Sequence, residues 1–127
     1  MSAMDTTPPP EEPQNYTVEH DPVEGALLVT ASGELDLAAA PRLATVLSIA
    51  TASAEPAVVL DLAAVDFIDS TALGAIMHAS TEAESAGKRM LVVAVDGPVR
   101  RLLEITNLTG RFRVYPSRDD ALAAAAA

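Results

Sequence analysis

The amino-acid sequence predicts an α/β fold: a single domain in which a mostly parallel mixed sheet of four to five strands packs with about four helices, in the order ββαβαβαβα. Two observations carry this prediction. Short continuous apolar runs, typical of buried strands, alternate along the chain with segments whose apolar residues recur every three or four positions, as on amphipathic helices. The chain also has 127 residues, half of them hydrophobic, which suits one domain with its own core.

The first elements follow a tail. Residues 1–14 carry four of the nine prolines and little to bury, which predicts a disordered segment before a domain spanning residues 15–125. The alternating run NYTVEH (15–20) predicts a first strand that ends in a turn at Asp21–Pro22. The run GALLVTASGEL (25–35) predicts a second strand, paired with the first as a hairpin.

The middle of the chain alternates helix and strand. Apolar residues take helical spacing from Ala39, and Pro41 suits a first helical turn, where its missing N–H costs nothing. The β-branched run AVVLDL (57–62) predicts a strand covered on both faces. A second helix is predicted to begin at residues 69–71 and to stop at Gly87.

The last third repeats the alternation. MLVVAV (90–95) predicts another buried strand, and residues 98–107 predict a short helix opened by a proline. RFRVY (111–115) alternates as a final edge strand. Ser117 with Asp120 forms a start like a capping box for the last helix, which is expected to fray into five alanines.

The charges disfavour several classes of partner. The net charge of −10 repels nucleic acid and anionic membrane, and a 3% aromatic content without Trp is poor equipment for stacking on bases. Residues 1–87 hold one base against fourteen acids, whereas residues 88–127 hold seven bases against four acids. Without cysteine, a signal peptide or the ~18 consecutive apolar residues of a membrane span, the chain predicts a soluble cytoplasmic protein with a basic partner.

The segment Asp69-Ser70-Thr71 raises the question of catalysis. A serine nucleophile needs a base within hydrogen-bond reach, but His78 lies eight residues along the same helix, a rise of about 12 Å. His20 is remote in sequence, and the motif G-x-S-x-G does not occur. No histidine cluster joins the nearby carboxylates as metal ligands. We therefore predict no catalytic residue, no metal and no cofactor, and a protein that is not an enzyme.

Two interpretations of the segment remain open at this point. Asp, Ser and Thr are preferred at helix N-termini, so plain capping explains their presence. A hydroxyl at a helix N-terminus is also a good phosphate acceptor, because free N–H groups and the helix dipole favour the added charge. Nearby, Gly33 indicates a strand end or bulge, since a single glycine is a weak sign of a phosphate cradle.

Three motifs together resemble one family. FIDSTALGAI (67–76) is similar to the phosphorylation motif of anti-sigma-factor antagonists, the small bacterial STAS-domain proteins. GELDLAAAP (33–41) resembles the family segment that joins a strand to the first helix, and the chain from Leu102 onward resembles its last helix, strand and helix. The resemblance spans about residues 15–125 and implies a single STAS-like domain.

The resemblance also implies a function. Ser70 matches the family's phosphoacceptor, and Thr71 matches the adjacent hydroxyl that sometimes receives a minor share of the phosphate. The implied partner is an anti-sigma factor with serine kinase activity, which the unphosphorylated antagonist binds, so that a sigma factor is released. Phosphorylation of Ser70 would end that complex, and a PP2C-type phosphatase would reset the switch.

The implied docking surface is acidic. Ala72 stands where the family has glycine, and its methyl group is expected to project towards the partner's backbone. The surface comprises Asp36, Asp66, Asp69, Ser70, Thr71 and Ala72.

Two alternatives are kept beside this one. The chain could be the STAS subunit of a lipid-transporting ABC complex or a scaffold of a stress-signalling assembly. It could also be a module that binds a nucleotide or anion at the same helix N-terminus.

Overall fold

The computed structural model describes residues 15–107, 110 and 112–127. In that part of the chain, strands and helices follow each other in the predicted order, which confirms the fold class. The elements are β1 (Tyr16–Val23), β2 (Ala26–Leu35), α1 (Ala40–Ala52), β3 (Ala57–Ile68), α2 (Ser70–Ser85), β4 (Arg89–Val93), α3 (Pro98–Thr106), β5 (Arg113–Tyr115) and α4 (Arg118–Ala126). The predicted tail and Arg111 lie outside the described residues.

The strands form one sheet in the order β1-β2-β3-β4-β5. β1 and β2 pair antiparallel as a hairpin, whereas β2, β3, β4 and β5 pair parallel because a helix connects each to the next. The carboxyl ends of β2, β3 and β4 therefore meet at one edge of the sheet, which we call the carboxyl edge. The loops that leave this edge lead into α1, α2 and α3.

Two clusters of buried residues cover the two faces of the sheet. On one face, Leu43 of α1, Ile76 of α2 and Leu103 of α3 pack, each with no exposed surface, against β-strand residues such as Leu60. On the other face, α4 packs the small side chains of Ala121 and Ala125 against the sheet. The sheet is thus sandwiched between three helices and one.

The hairpin turn lies later than the sequence indicates. β1 continues through Asp21 and Pro22 to Val23, and the turn is formed by Glu24 and by Gly25, whose φ is +79°. The predicted turn at Asp21–Pro22 is therefore wrong. Pro22 is tolerated inside the strand because β1 is at the edge of the sheet, where a missing N–H costs little.

Strand β3 is twice as long as its apolar core predicts. Residues 58–61 pair with both β2 and β4, whereas the second half of the strand pairs, through residues 64, 65, 67 and 68, with β2 alone among the described strands. The register between β2 and β3 shifts twice, once after Thr30 and once after Gly33, and the second shift leaves Asp66 unpaired. These bulges break the apolar alternation, which explains why the sequence pattern hides the second half of the strand.

An ion pair fixes α4 to the sheet. Arg118, the first residue of α4, donates from Nε to Oδ2 of Asp61 at 2.7 Å, and the Asp61 side chain is only 6% exposed. The other carboxylate oxygen accepts the backbone N–H of Ala63 at 2.9 Å. Ser117 caps the helix by accepting the N–H of Asp120 at 3.1 Å, as predicted, and the helix continues to Ala126 rather than fraying at the alanines.

Candidate functional site

The carboxyl edge brings together two parts of the predicted site. Leu35, at the end of β2, is the register partner of Ile68, at the end of β3. The N–H of Asp69 then donates to the carbonyl oxygen of Leu35 at 3.0 Å, which ties the two strand ends together. Asp36 and Asp69 follow these paired residues directly, so the two carboxylates lie on neighbouring connections of the same edge.

Asp69 is the N-cap of α2. Its backbone is extended, and its Oδ1 accepts the N–H of Ala72 at 2.9 Å, which satisfies one of the orphan donors of the helix. The predicted capping role therefore belongs to Asp69. Ser70 and Thr71 occupy the first two positions of the helix and are both exposed. The hydroxyl of Ser70 makes no hydrogen bond to the described residues and stands at the positive end of a 16-residue helix.

Asp36 has a structural task of its own. Its Oδ1 accepts the backbone N–H groups of Ala38 at 3.0 Å and Ala39 at 3.3 Å, and its carbonyl oxygen accepts the N–H groups of Ala39 and Ala40. These bonds turn the chain into α1, whose N-cap Ala39 provides no side-chain acceptor. Asp36 is half-buried and fixed in position, whereas Asp66 is exposed at the β3 bulge.

The structure corrects the expectation for Ala72. Its side chain has no exposed surface and belongs to the core beneath α2. The methyl group therefore packs inside the domain and cannot project towards a partner. The backbone N–H of Ala72 donates to Oδ1 of Asp69, so Ala72 helps to hold the start of α2 in place from its buried side.

Gly74 is an exposed neighbour of Ser70 that the sequence analysis left out. It lies four residues after Ser70, one turn further along the same face of α2, and a Cβ added there would meet no atom within 4 Å. A glycine inside a helix destabilises it by about 0.5–1 kcal/mol relative to alanine, and no packing contact here requires one. Helical spacing from Ser70 would have located it.

Neither histidine of the chain makes a hydrogen bond to Ser70 in the part of the chain that the structure describes. His78 is 75% exposed and lies near Glu82, with 3.5 Å between Nε2 and Oε1. His20 is exposed on β1, at the sheet edge. Within the described residues, no group of three or more His, Cys, Asp or Glu side chains could hold a metal ion.

Comparison with known proteins identifies the family. The model of the STAS domain matches residues 17–121. The chain belongs to the STAS domain family. This STAS domain is 31% identical over 110 residues to the anti-sigma-F factor antagonist RsfB of Mycobacterium tuberculosis, with 87% of this chain and 89% of the relative covered. An anti-sigma F factor antagonist of Paenibacillus polymyxa is 31% identical over 107 residues, with 84% and 89% covered.

A solved structure shows the same fold. The anti-sigma factor antagonist from Mycobacterium paratuberculosis superposes with a TM-score of 0.78 at 33% identity, over 87% of this chain and 93% of that chain. The resemblance drawn from the three motifs is thus confirmed. The relatives are named for a regulatory role rather than for catalysis. None of the helices described in this STAS domain is long and apolar enough to cross a membrane.

Proposed function

We propose that this STAS domain is an anti-sigma-factor antagonist controlled by phosphorylation of Ser70. Unphosphorylated, it binds an anti-sigma factor that has serine kinase activity, and a sigma factor is released in the cytoplasm. Phosphorylated, it leaves that partner until a PP2C-type phosphatase removes the phosphate. The observation that supports the proposal is the exposed Ser70 at the first position of α2, whose hydroxyl makes no hydrogen bond to any described residue.

The fold is suited to accept a phosphate at this point. Asp69 uses one orphan N–H of α2, and other N–H groups of the first turn remain directed towards the helix N-terminus. A negative charge near a helix N-terminus is stabilised by about 0.3–1 kcal/mol. The phosphorylated domain should therefore keep its fold.

A closed interface responds differently from the isolated domain. Phosphorylation adds a charge of about −2 at pH 7 beside Asp36 and Asp69, against a partner surface fitted to a neutral hydroxyl. Like charges about 6 Å apart repel by roughly 0.7 kcal/mol in water and by about 3 kcal/mol at an effective dielectric constant of 20. One such contact inside the interface weakens binding on the order of 100-fold.

Ser70 is the better acceptor of the two hydroxyls. Successive residues on a helix point about 100° apart, so Ser70 and Thr71 cannot both face an incoming γ-phosphate. Thr71 also carries a β-methyl group that restricts its rotamer and crowds the approach. We expect Ser70→Ala to remove most of the phosphate that the cognate kinase incorporates, whereas Thr71→Ala removes little.

The decisive experiment compares partner affinity with stability. Ser70→Asp should lower the affinity for the kinase partner by about 100-fold in calorimetric titration. Its circular dichroism should match the wild type, and its melting curve should be nearly unchanged. Ser70→Ala, the matched control, should still bind because it keeps a neutral side chain. Wild-type affinity in Ser70→Asp, or a loss of binding that merely accompanies unfolding, would contradict the switch.

A further inference from the structure

Two large apolar side chains stand exposed beside the phosphoacceptor. Leu37, two residues past the end of β2, is 70% exposed, and Phe67, three residues before Ser70, is 50% exposed. The register pairs Leu35 with Ile68, so both residues lie within two positions of the paired ends of β2 and β3 at the carboxyl edge. Of the other exposed large apolar side chains in the described chain, Val95 follows β4 further along the carboxyl edge, whereas Ile49 lies on α1 and Ile105 on α3.

No helix of the described residues covers the sheet face at Phe67. Phe67 is the register partner of Glu34, which lies on the same face of β2 as Ala26 and Leu28, the face that α4 covers. However, α4 begins at Arg118, over Asp61 and Thr30. Glu34 and Phe67 lie beyond that row of the sheet, and both are exposed.

We infer that Phe67 and Leu37 form the apolar centre of the surface that docks the partner, and that they insert into an apolar pocket of a protein bordered by Lys and Arg side chains. The inference rests on the proposed function, because it assigns the energetic centre of the same interface. Exposed apolar patches with a polar rim mark protein-binding sites, and aromatic anchors at their centre carry much of the binding energy. Phe67 has the exposure of such an anchor, and the acidic residues next to it in register or in sequence, Glu34, Asp66 and Asp69, provide the polar rim.

The acidic charge around Phe67 indicates which molecule docks on this patch: a second copy of the chain, its own residues 1–14 or a basic partner protein. In a symmetric dimer formed through this patch, Glu34, Asp66 and Asp69 would approach the same three carboxylates of a second copy, which would repel them. Residues 1–14 carry three acids and no Lys or Arg, so the chain's own tail is repelled as well. A basic partner complements the rim, whereas both alternatives oppose it.

Phe67, as the apolar anchor, and the carboxylates of the acidic rim should affect different rate constants of binding. Charges at the rim steer the encounter, so they change the association rate and its salt dependence. A desolvated aromatic anchor instead holds the formed complex, so its truncation increases the dissociation rate. This difference separates the role of Phe67 from that of the surrounding carboxylates.

The test is surface plasmon resonance with each kinase-type anti-sigma factor of the source organism, purified and loaded with Mg-ADP. Phe67→Ala should weaken binding by about 30-fold or more, mainly through faster dissociation. Phe67→Tyr, which keeps the ring, should retain affinity within a few-fold. Ile49→Ala and Ile105→Ala remove exposed apolar side chains elsewhere and should bind as the wild type does. Melting curves of all variants verify the fold.

Each outcome has one meaning. If no such anti-sigma factor binds the wild type, the proposed function and this inference fail together. If Ser70→Asp loses the partner while Phe67→Ala binds like the wild type, the inference alone is overturned. A wild-type dimer in sedimentation velocity that Phe67→Ala converts to monomer would assign the patch to a second copy and overturn it too.

Discussion

Replacing Gly33 with alanine tests how β1 is joined to the carboxyl edge. Gly33 has φ +80°, and an added Cβ would lie 2.0 Å from the carbonyl oxygen of Asn15 and 2.9 Å from its carbonyl carbon. That oxygen accepts the N–H of Glu34 at 2.8 Å. The bond lies at the second register shift between β2 and β3, just before β2 reaches the carboxyl edge. The methyl group therefore meets rigid backbone, and the start of β1 has to move.

The cost follows from two contributions. A positive φ costs a non-glycine residue roughly 1–2 kcal/mol. Displacing Asn15 also removes its hydrogen bond to Glu34, a net loss of about 0.5–1.5 kcal/mol. We expect Gly33→Ala to lower the free energy of unfolding by about 1.5–3.5 kcal/mol, a large share of the roughly 5–15 kcal/mol typical of a domain.

Urea denaturation followed by circular dichroism measures this loss. Gly74→Ala is the matched control, because the same methyl group enters open space on a helix and should stabilise the domain by about 0.5–1 kcal/mol. The opposite signs identify local geometry as the cause. A Gly33→Ala variant as stable as the wild type would refute the reasoning, as would an equal loss in both variants.

Two further stability predictions use the same assay or a melting curve. Arg118→Ala should lower the free energy of unfolding by about 1–3 kcal/mol, because it leaves the buried carboxylate of Asp61 with one hydrogen bond. Arg100→Ala breaks a pair whose carboxylate, on Glu104, is 55% exposed, and it should cost less than about 0.5 kcal/mol. Equal losses would show that burial of the carboxylate does not matter. Removing residues 1–13 should shift the melting temperature by no more than about 2 °C, since the tail holds too few apolar residues to offset ordering costs of about 1–2 kcal/mol per residue; a larger loss would place the domain boundary earlier.

The element order could be predicted because apolar runs and helical spacing reflect burial directly. The hairpin turn could not be located, since proline signals a turn in isolation and only the edge position of β1 makes Pro22 acceptable in a strand. The length of β3 was hidden by its bulges. Register shifts depend on the partner strand, which a local pattern does not contain.

At the candidate site, helix geometry explains why the start of α2 was predicted correctly and why the orientation of Ala72 was not. The capping preference of aspartate indicated the start of α2, which the bond from Ala72 to Asp69 confirms. Ala72 was misplaced because two residues turn a side chain by about 200°, away from the face of Ser70 and into the core. Four residues turn it by about 400°, which returns Gly74 to that face. The exposure of Phe67 depends on where α4 begins, a tertiary fact without a local signal.

The second half of β3 pairs only with β2 among the described strands, through residues 64, 65, 67 and 68, whereas residues 58–61 pair with β2 on one side and β4 on the other. Local stability should therefore fall along the strand towards Ser70, and amide hydrogens of the outer half should exchange with solvent faster than those of residues 57–61. Such an end can loosen while the five-stranded centre stays closed. Under the proposed function, we expect a kinase that takes its substrate as an extended peptide to reach Ser70 through this local opening, so that the rate of phosphorylation follows the fraying of these few residues and is independent of global unfolding.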